Sequence, residues 1–70
     1  MWFCIGKEKE NGNEYCHYMN TKTKERVTLI KRSCGQYIVR IGREKVFSTG
    51  NEWCAKDVLL KIMNKDLVKL

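Results

Sequence analysis

Seventy residues with 43% hydrophobic and 10% aromatic content suffice for one small core, near the lower size limit for unaided folding, and are too apolar for a disordered segment. No apolar run approaches the roughly 18 residues of a membrane-spanning helix, and the opening MWFCIGKEKE lacks the cationic and apolar stretches of a signal peptide, so no membrane association and a cytoplasmic location are expected. The net charge of +6 is unevenly held: residues 21–50 carry Lys22, Lys24, Arg26, Lys31, Arg32, Arg40, Arg43 and Lys45 against only Glu25 and Glu44, while the flanking segments nearly balance.

In chain order, WFCIGKEK and EYCHYMN flank Glu10-Asn11-Gly12-Asn13. Asn-Gly tolerates positive φ at both positions and predicts a type I′ hairpin turn, which sets Lys9 opposite Glu14. Tyr15, His17 and Met19 then alternate with Cys16, Tyr18 and Asn20. The polar stretch NTKTKE, residues 20–25, reads as a loop.

The next hairpin contains Arg32-Ser33-Cys34-Gly35-Gln36 and admits two registers. A two-residue turn at Cys34-Gly35 puts Val27 and Leu29 on one surface with Arg40. A three-residue Ser33-Cys34-Gly35 loop, with Gly35 at a left-handed bulge position, instead gathers Val27, Leu29, Tyr37, Val39 and Ile41 on one face. Thr28, Ile30, Arg32, Gln36, Ile38 and Arg40 then occupy the other. A one-residue slip exchanges the two faces, so burial favours the second register, with its better apolar set. The outer face is either free or covered by the N-terminal strands, with Ile30 and Ile38 as core.

Gly42-Arg43-Glu44-Lys45 reverses the chain and Val46-Phe47-Ser48 forms a short strand. Thr49-Gly50-Asn51-Glu52 matches a capping box. Ala55, Val58, Leu59, Ile62 and Met63 then recur at helical spacing, until Asp66 interrupts the stripe and predicts an end near Asn64, with a loosely held tail. The expected fold class is α+β, an antiparallel β-meander of three to five strands packed on one C-terminal α-helix. It forms a single domain over residues 1–70: an N-terminal hairpin (1–20), a basic sheet (26–48) and a helix (51–64).

Catalytic chemistry has little to stand on. Cys4, Cys16, Cys34 and Cys54 stand singly, without the short-spaced pairs of a zinc site, and are expected to be reduced and structural. His17 is the lone histidine, expected as a packed or surface residue. No nucleophile elbow or phosphate-binding glycine loop occurs. A non-enzyme is expected, with no cofactor and no metal. Trp53 is expected to pack on the sheet edge, and Trp2 in the core or at an N-terminal staple.

The run Gly35-Gln36-Tyr37-Ile38-Val39-Arg40-Ile41, then Val46-Phe47-Ser48-Thr49, then a helix bearing Ala55 and Leu59, resembles the AP2-type DNA-binding domain and the arm-binding domain of phage and transposon integrases. The likeness covers about half the chain. It departs from the family in lacking an arginine-rich first strand and a Trp in the sheet, and in carrying an extra hairpin. It implies a sheet whose outer face meets DNA through Arg32, Gln36 and Arg40, with Thr28 and Ile38 between them. Independently of it, Arg suits guanine, Gln adenine and Ile a thymine methyl group. Lys22, Lys24, Lys31, Arg43 and Lys45 would hold phosphates.

Two readings follow. One is a small DNA-binding module of a phage or mobile element. The other is an inhibitor or adaptor, such as a phage-encoded antagonist of a host defence complex, docked on an acidic protein surface. Free strand edges also allow a homodimer.

Overall fold

The structure, a computed structural model, describes residues 2–63. The predicted helix end at Asn64 and the tail beyond it lie outside the described residues. Five strands follow one another in the chain and in the sheet: β1 (Trp2–Glu10), β2 (Asn13–Asn20), β3 (Arg26–Lys31), β4 (Tyr37–Ile41) and β5 (Glu44–Thr49), in the order β1-β2-β3-β4-β5, all antiparallel. One helix, α1 (Glu52–Met63), completes an α+β arrangement.

Turn chemistry sets the registers. Asn11 and Gly12 sit at φ 52° and 83°, the two positive values of a type I′ turn. Lys9 faces Glu14 across that turn, 3.4 Å apart. In the next hairpin Gly35 has φ 91°; its N–H donates to the Arg32 carbonyl, and the Arg32 N–H donates to the Gln36 carbonyl. This is the three-residue loop, and it pairs Leu29 with Val39 and Ile30 with Ile38.

That register decides what is buried. Val27, Tyr37 and Val39 turn to the helix side and meet Ala55 and Leu59, with Trp2, Tyr18, Leu29, Phe47, Val58, Ile62 and Met63 packed around them. α1 lies over β3, β4 and β5. Trp2 thus borders the core, although its indole N–H is buried without a hydrogen-bond partner. The Tyr18 hydroxyl is pushed to higher pKa, chiefly by burial, with Cys16 and Cys4 adding to the shift and Lys56 opposing it.

Three local expectations need correction. The helix is capped by Asn51, whose side-chain oxygen accepts the N–H groups of Trp53 (2.9 Å) and Cys54 (3.3 Å). Thr49 still pairs with Tyr37 in the sheet, two residues too early to cap. Trp53 is 80% exposed rather than packed on the sheet edge, because it lies two residues, about 200° around the helix, from buried Ala55. The four cysteines are free thiols, and Cys4, Cys34 and Cys54 are exposed, so they are not packing residues.

Candidate nucleic-acid interface

β2 pairs with β3, from Glu14 opposite Lys31 to Met19 opposite Arg26. The N-terminal hairpin therefore widens the sheet edgewise and does not fold over it. The face opposite α1 has no element packed on it among the described residues. Two backbone irregularities shape its margins, one at Cys4/Gly6 in β1 and one at Val39/Arg40 against β5.

Cross-strand rows organise this face. The row nearest the β2–β3 and β4–β5 connections contains Phe3, Met19 and Arg26. The next runs Gly6, His17, Thr28, Arg40, Lys45, and the third Glu8, Tyr15, Ile30, Ile38, Ser48. Arg32 and Gln36 close the far end, hydrogen-bonded through their backbones. Arg32 and Arg40 thus share a face. Arg40 is cross-strand from Thr28, four residues along β3 from Arg32, which sets the two roughly 13 Å apart.

Several polar groups on the face are fixed. Nδ1 of His17 lies 3.0 Å from the Thr28 hydroxyl and its Nε2 3.6 Å from the Glu8 carboxylate. The Tyr15 and His17 rings are parallel within 7°, with centroids 6.3 Å apart. The Gln36 amide donates to the Ser48 hydroxyl at 2.6 Å. Thr28 and Ile30 are only 5% and 6% exposed despite the open face, shielded by their cross-strand neighbours. Thr28 therefore orients His17 and offers little surface of its own. Arg32 is exposed, while Gln36, Ile38 and Arg40 are half-buried.

The cations fall into two groups. Lys22 and Lys24 in the β2–β3 loop, Arg43 in the β4–β5 turn, and Arg26, Arg40 and Lys45 lie at one end of the sheet, where the Gly42 N–H ties to the Arg26 carbonyl. Glu25 and Glu44 are the carboxylates at that end. Lys31 lies apart: it is cross-strand from Tyr37, on the helix side, close enough to Glu52 to help hold that carboxyl below its ordinary range. Arg26, Tyr15 and His17 were not singled out from the sequence as site residues. The period-two alternation of β2 and β3 was the signal that could have found them.

Arg40 stands directly opposite Lys45, and like charges in cross-strand positions repel. The Arg40 Nε is buried without a hydrogen-bond partner. The Lys or Arg ion pairs among the described residues are Lys9–Glu14, Glu52–Lys56 and Asp57–Lys61, so none of the eight cations of residues 21–50 has a carboxylate within 4 Å there. Among the described residues no three His, Cys, Asp or Glu side chains converge as metal ligands, and no helix is long and apolar enough to cross a membrane. Comparison with protein-family models, curated proteins and solved structures returns no match.

Proposed function

We propose that this chain is a small non-enzymatic binding domain that takes DNA on the helix-free face of its sheet, as a module of phage or mobile-element type. The observation that carries the reading is the unneutralised Arg40–Lys45 pair with Arg26, Lys22, Lys24 and Arg43 around it. Like charges in cross-strand register, with no carboxylate ion-paired to either, break a local rule of sheet stability, and such breaks concentrate where a ligand supplies the missing counter-charge. A phosphate backbone is that ligand: cations spaced along a sheet end neutralise successive phosphates, and release of condensed counterions drives the association.

Arg32 and Gln36, at the far end of the same face, supply guanidinium and amide groups suited to base edges. Lys31 contributes less, given its place on the helix side.

Fluorescence anisotropy with labelled DNA, single-stranded and duplex, at several salt concentrations tests the proposal. Six phosphate contacts give a slope of log affinity against log salt of roughly −4 for a single strand and −5 for duplex. An Arg40→Ala/Lys45→Ala double variant flattens that slope by about 2. Absence of binding at low salt, or an unchanged slope in the double variant, overturns it. If DNA fails while the chain retains a stoichiometric partner from nuclease-treated host lysate, the same cations serve an acidic protein surface, as in an inhibitor of a host complex.

A further inference from the structure

The outer face is chemically divided. On the β1–β2 half it presents Phe3, Tyr15, His17 and Met19; on the β3–β5 half it presents Arg26, Arg32, Arg40 and Lys45. Phe3 is 50% exposed. The Tyr15 and His17 rings are parallel, and the His17 ring is anchored through Nδ1 to the Thr28 hydroxyl at 3.0 Å, while its buried Nε2, 3.6 Å from the Glu8 carboxylate, has no hydrogen-bond partner. Aromatic groups already fixed in orientation lose little entropy when a ligand settles on them.

We infer that the ligand of this face is single-stranded DNA, its bases on the Tyr15–His17 platform of β2 and its phosphates on the cations of β3–β5. The inference rests on the DNA-binding reading above and narrows it.

Two physical arguments select the single strand. Duplex DNA exposes phosphates and base edges, whereas the π-faces that stack on aromatic side chains become available only in an unpaired strand. The second argument is width. Five strands spaced about 4.7–4.9 Å apart make a face roughly 19 Å across, against a major groove about 12 Å wide. A duplex seated on β3–β5 leaves Tyr15 and His17 outside the groove, and the right-handed twist of the sheet turns the β1–β2 half further away. A flexible single strand lying across β2 to β5 reaches the aromatic and cationic halves together.

The test compares a fluorescein-labelled oligothymidine of about 12 nucleotides, within the usual site size of single-strand-binding sheets, with the same strand annealed to its complement. The single strand is expected to bind more tightly at equal salt. Tyr15→Leu should weaken it roughly five- to hundredfold, the loss of one base stack, while Tyr15→Phe retains it. Independently of any variant, the ring protons of Tyr15 and His17 in the unmodified chain should move upfield as oligothymidine is added, so a folding defect in Tyr15→Leu does not remove the test. Equal or tighter duplex binding, with the ring protons unmoved and the Arg40→Ala/Lys45→Ala variant still defective, overturns the stacking platform and leaves the DNA-binding reading standing. Absence of binding to either probe at low salt overturns both.

Discussion

Gly35 offers the sharpest test of how this sheet is aligned. It sits at φ 91° in the β3–β4 loop, with no atom beyond its own chain neighbours within 4 Å of where a Cβ would stand. Gly35→Ala therefore meets no steric wall, and its whole effect is the conformational cost of a side chain at positive φ, about 1–2 kcal/mol. A domain of this length has a stability of roughly 4–10 kcal/mol, so the loss is measurable without unfolding the protein. It corresponds to a fall in Tm of roughly 4–16 °C. Gly35→Asn should recover much of the loss, since Asn visits the left-handed region more readily. Urea titration read by circular dichroism, with an unchanged m-value, is the assay. A Gly35→Ala variant within about 0.3 kcal/mol of the parent would refute the argument, being far below the cost of left-handed backbone for a residue bearing a Cβ. So would an Asn variant as unstable as the Ala one.

Two further predictions concern the helix. Asn51→Ala should lower stability by about 1 kcal/mol, because two helix N–H groups lose their acceptor, while Thr49→Ala costs less; parallel urea titrations separate them. The Lys56 ammonium, 2.8 Å from the Glu52 carboxylate, holds that carboxyl below its ordinary range, chiefly by hydrogen bonding to it, and Glu52 in turn raises Lys56. Because the folded-state Glu52 pKa is depressed, its contribution to stability is present above the unfolded carboxylate pKa and is lost as pH falls through the folded value. Lys56→Met should move the Glu52 midpoint upward in an NMR pH titration; an unmoved midpoint means the pair is not what depresses it.

Much of the fold was legible because the strongest signals were local. Asn11-Gly12 dictated one turn, Gly35 the next, and the spacing of Ala55, Leu59 and Ile62 one helical stripe. The choice between registers of β3 and β4 needed only the rule that apolar side chains share a face. Where two local signals coexisted, the sequence did not rank them. Thr49 and Asn51 are both good caps, and what separates them is that Thr49 remains cross-strand from Tyr37, a tertiary fact. The exposed position of Trp53 was legible in principle, since it lies two residues, about 200° around the helix, from buried Ala55 wherever the cap falls.

The placement of the N-terminal hairpin was the largest feature the chain did not disclose. Its strands alternate well enough to lie over the sheet or beside it, and non-local pairing between β2 and β3 chose the second. The consequence for function is direct. α1 packs on three strands of one face, so this 12-residue helix leaves the reverse side without a covering element among the described residues. Thr28 and Ile30 must then be kept dry by their own neighbours, Tyr15 and His17 from β2 and Ile38 and Arg40 from β4. The residues nearest a ligand on that face are thus the same ones that shield its interior. Truncating them removes groups of the proposed site and wets buried atoms together, so affinity losses from alanine variants of Tyr15 or His17 would overstate direct contact with the proposed ligand. Ring-preserving and charge-only substitutions separate the two effects: Tyr15→Phe keeps the shield and the π-face, and Arg40→Gln keeps much of the stem while deleting the charge.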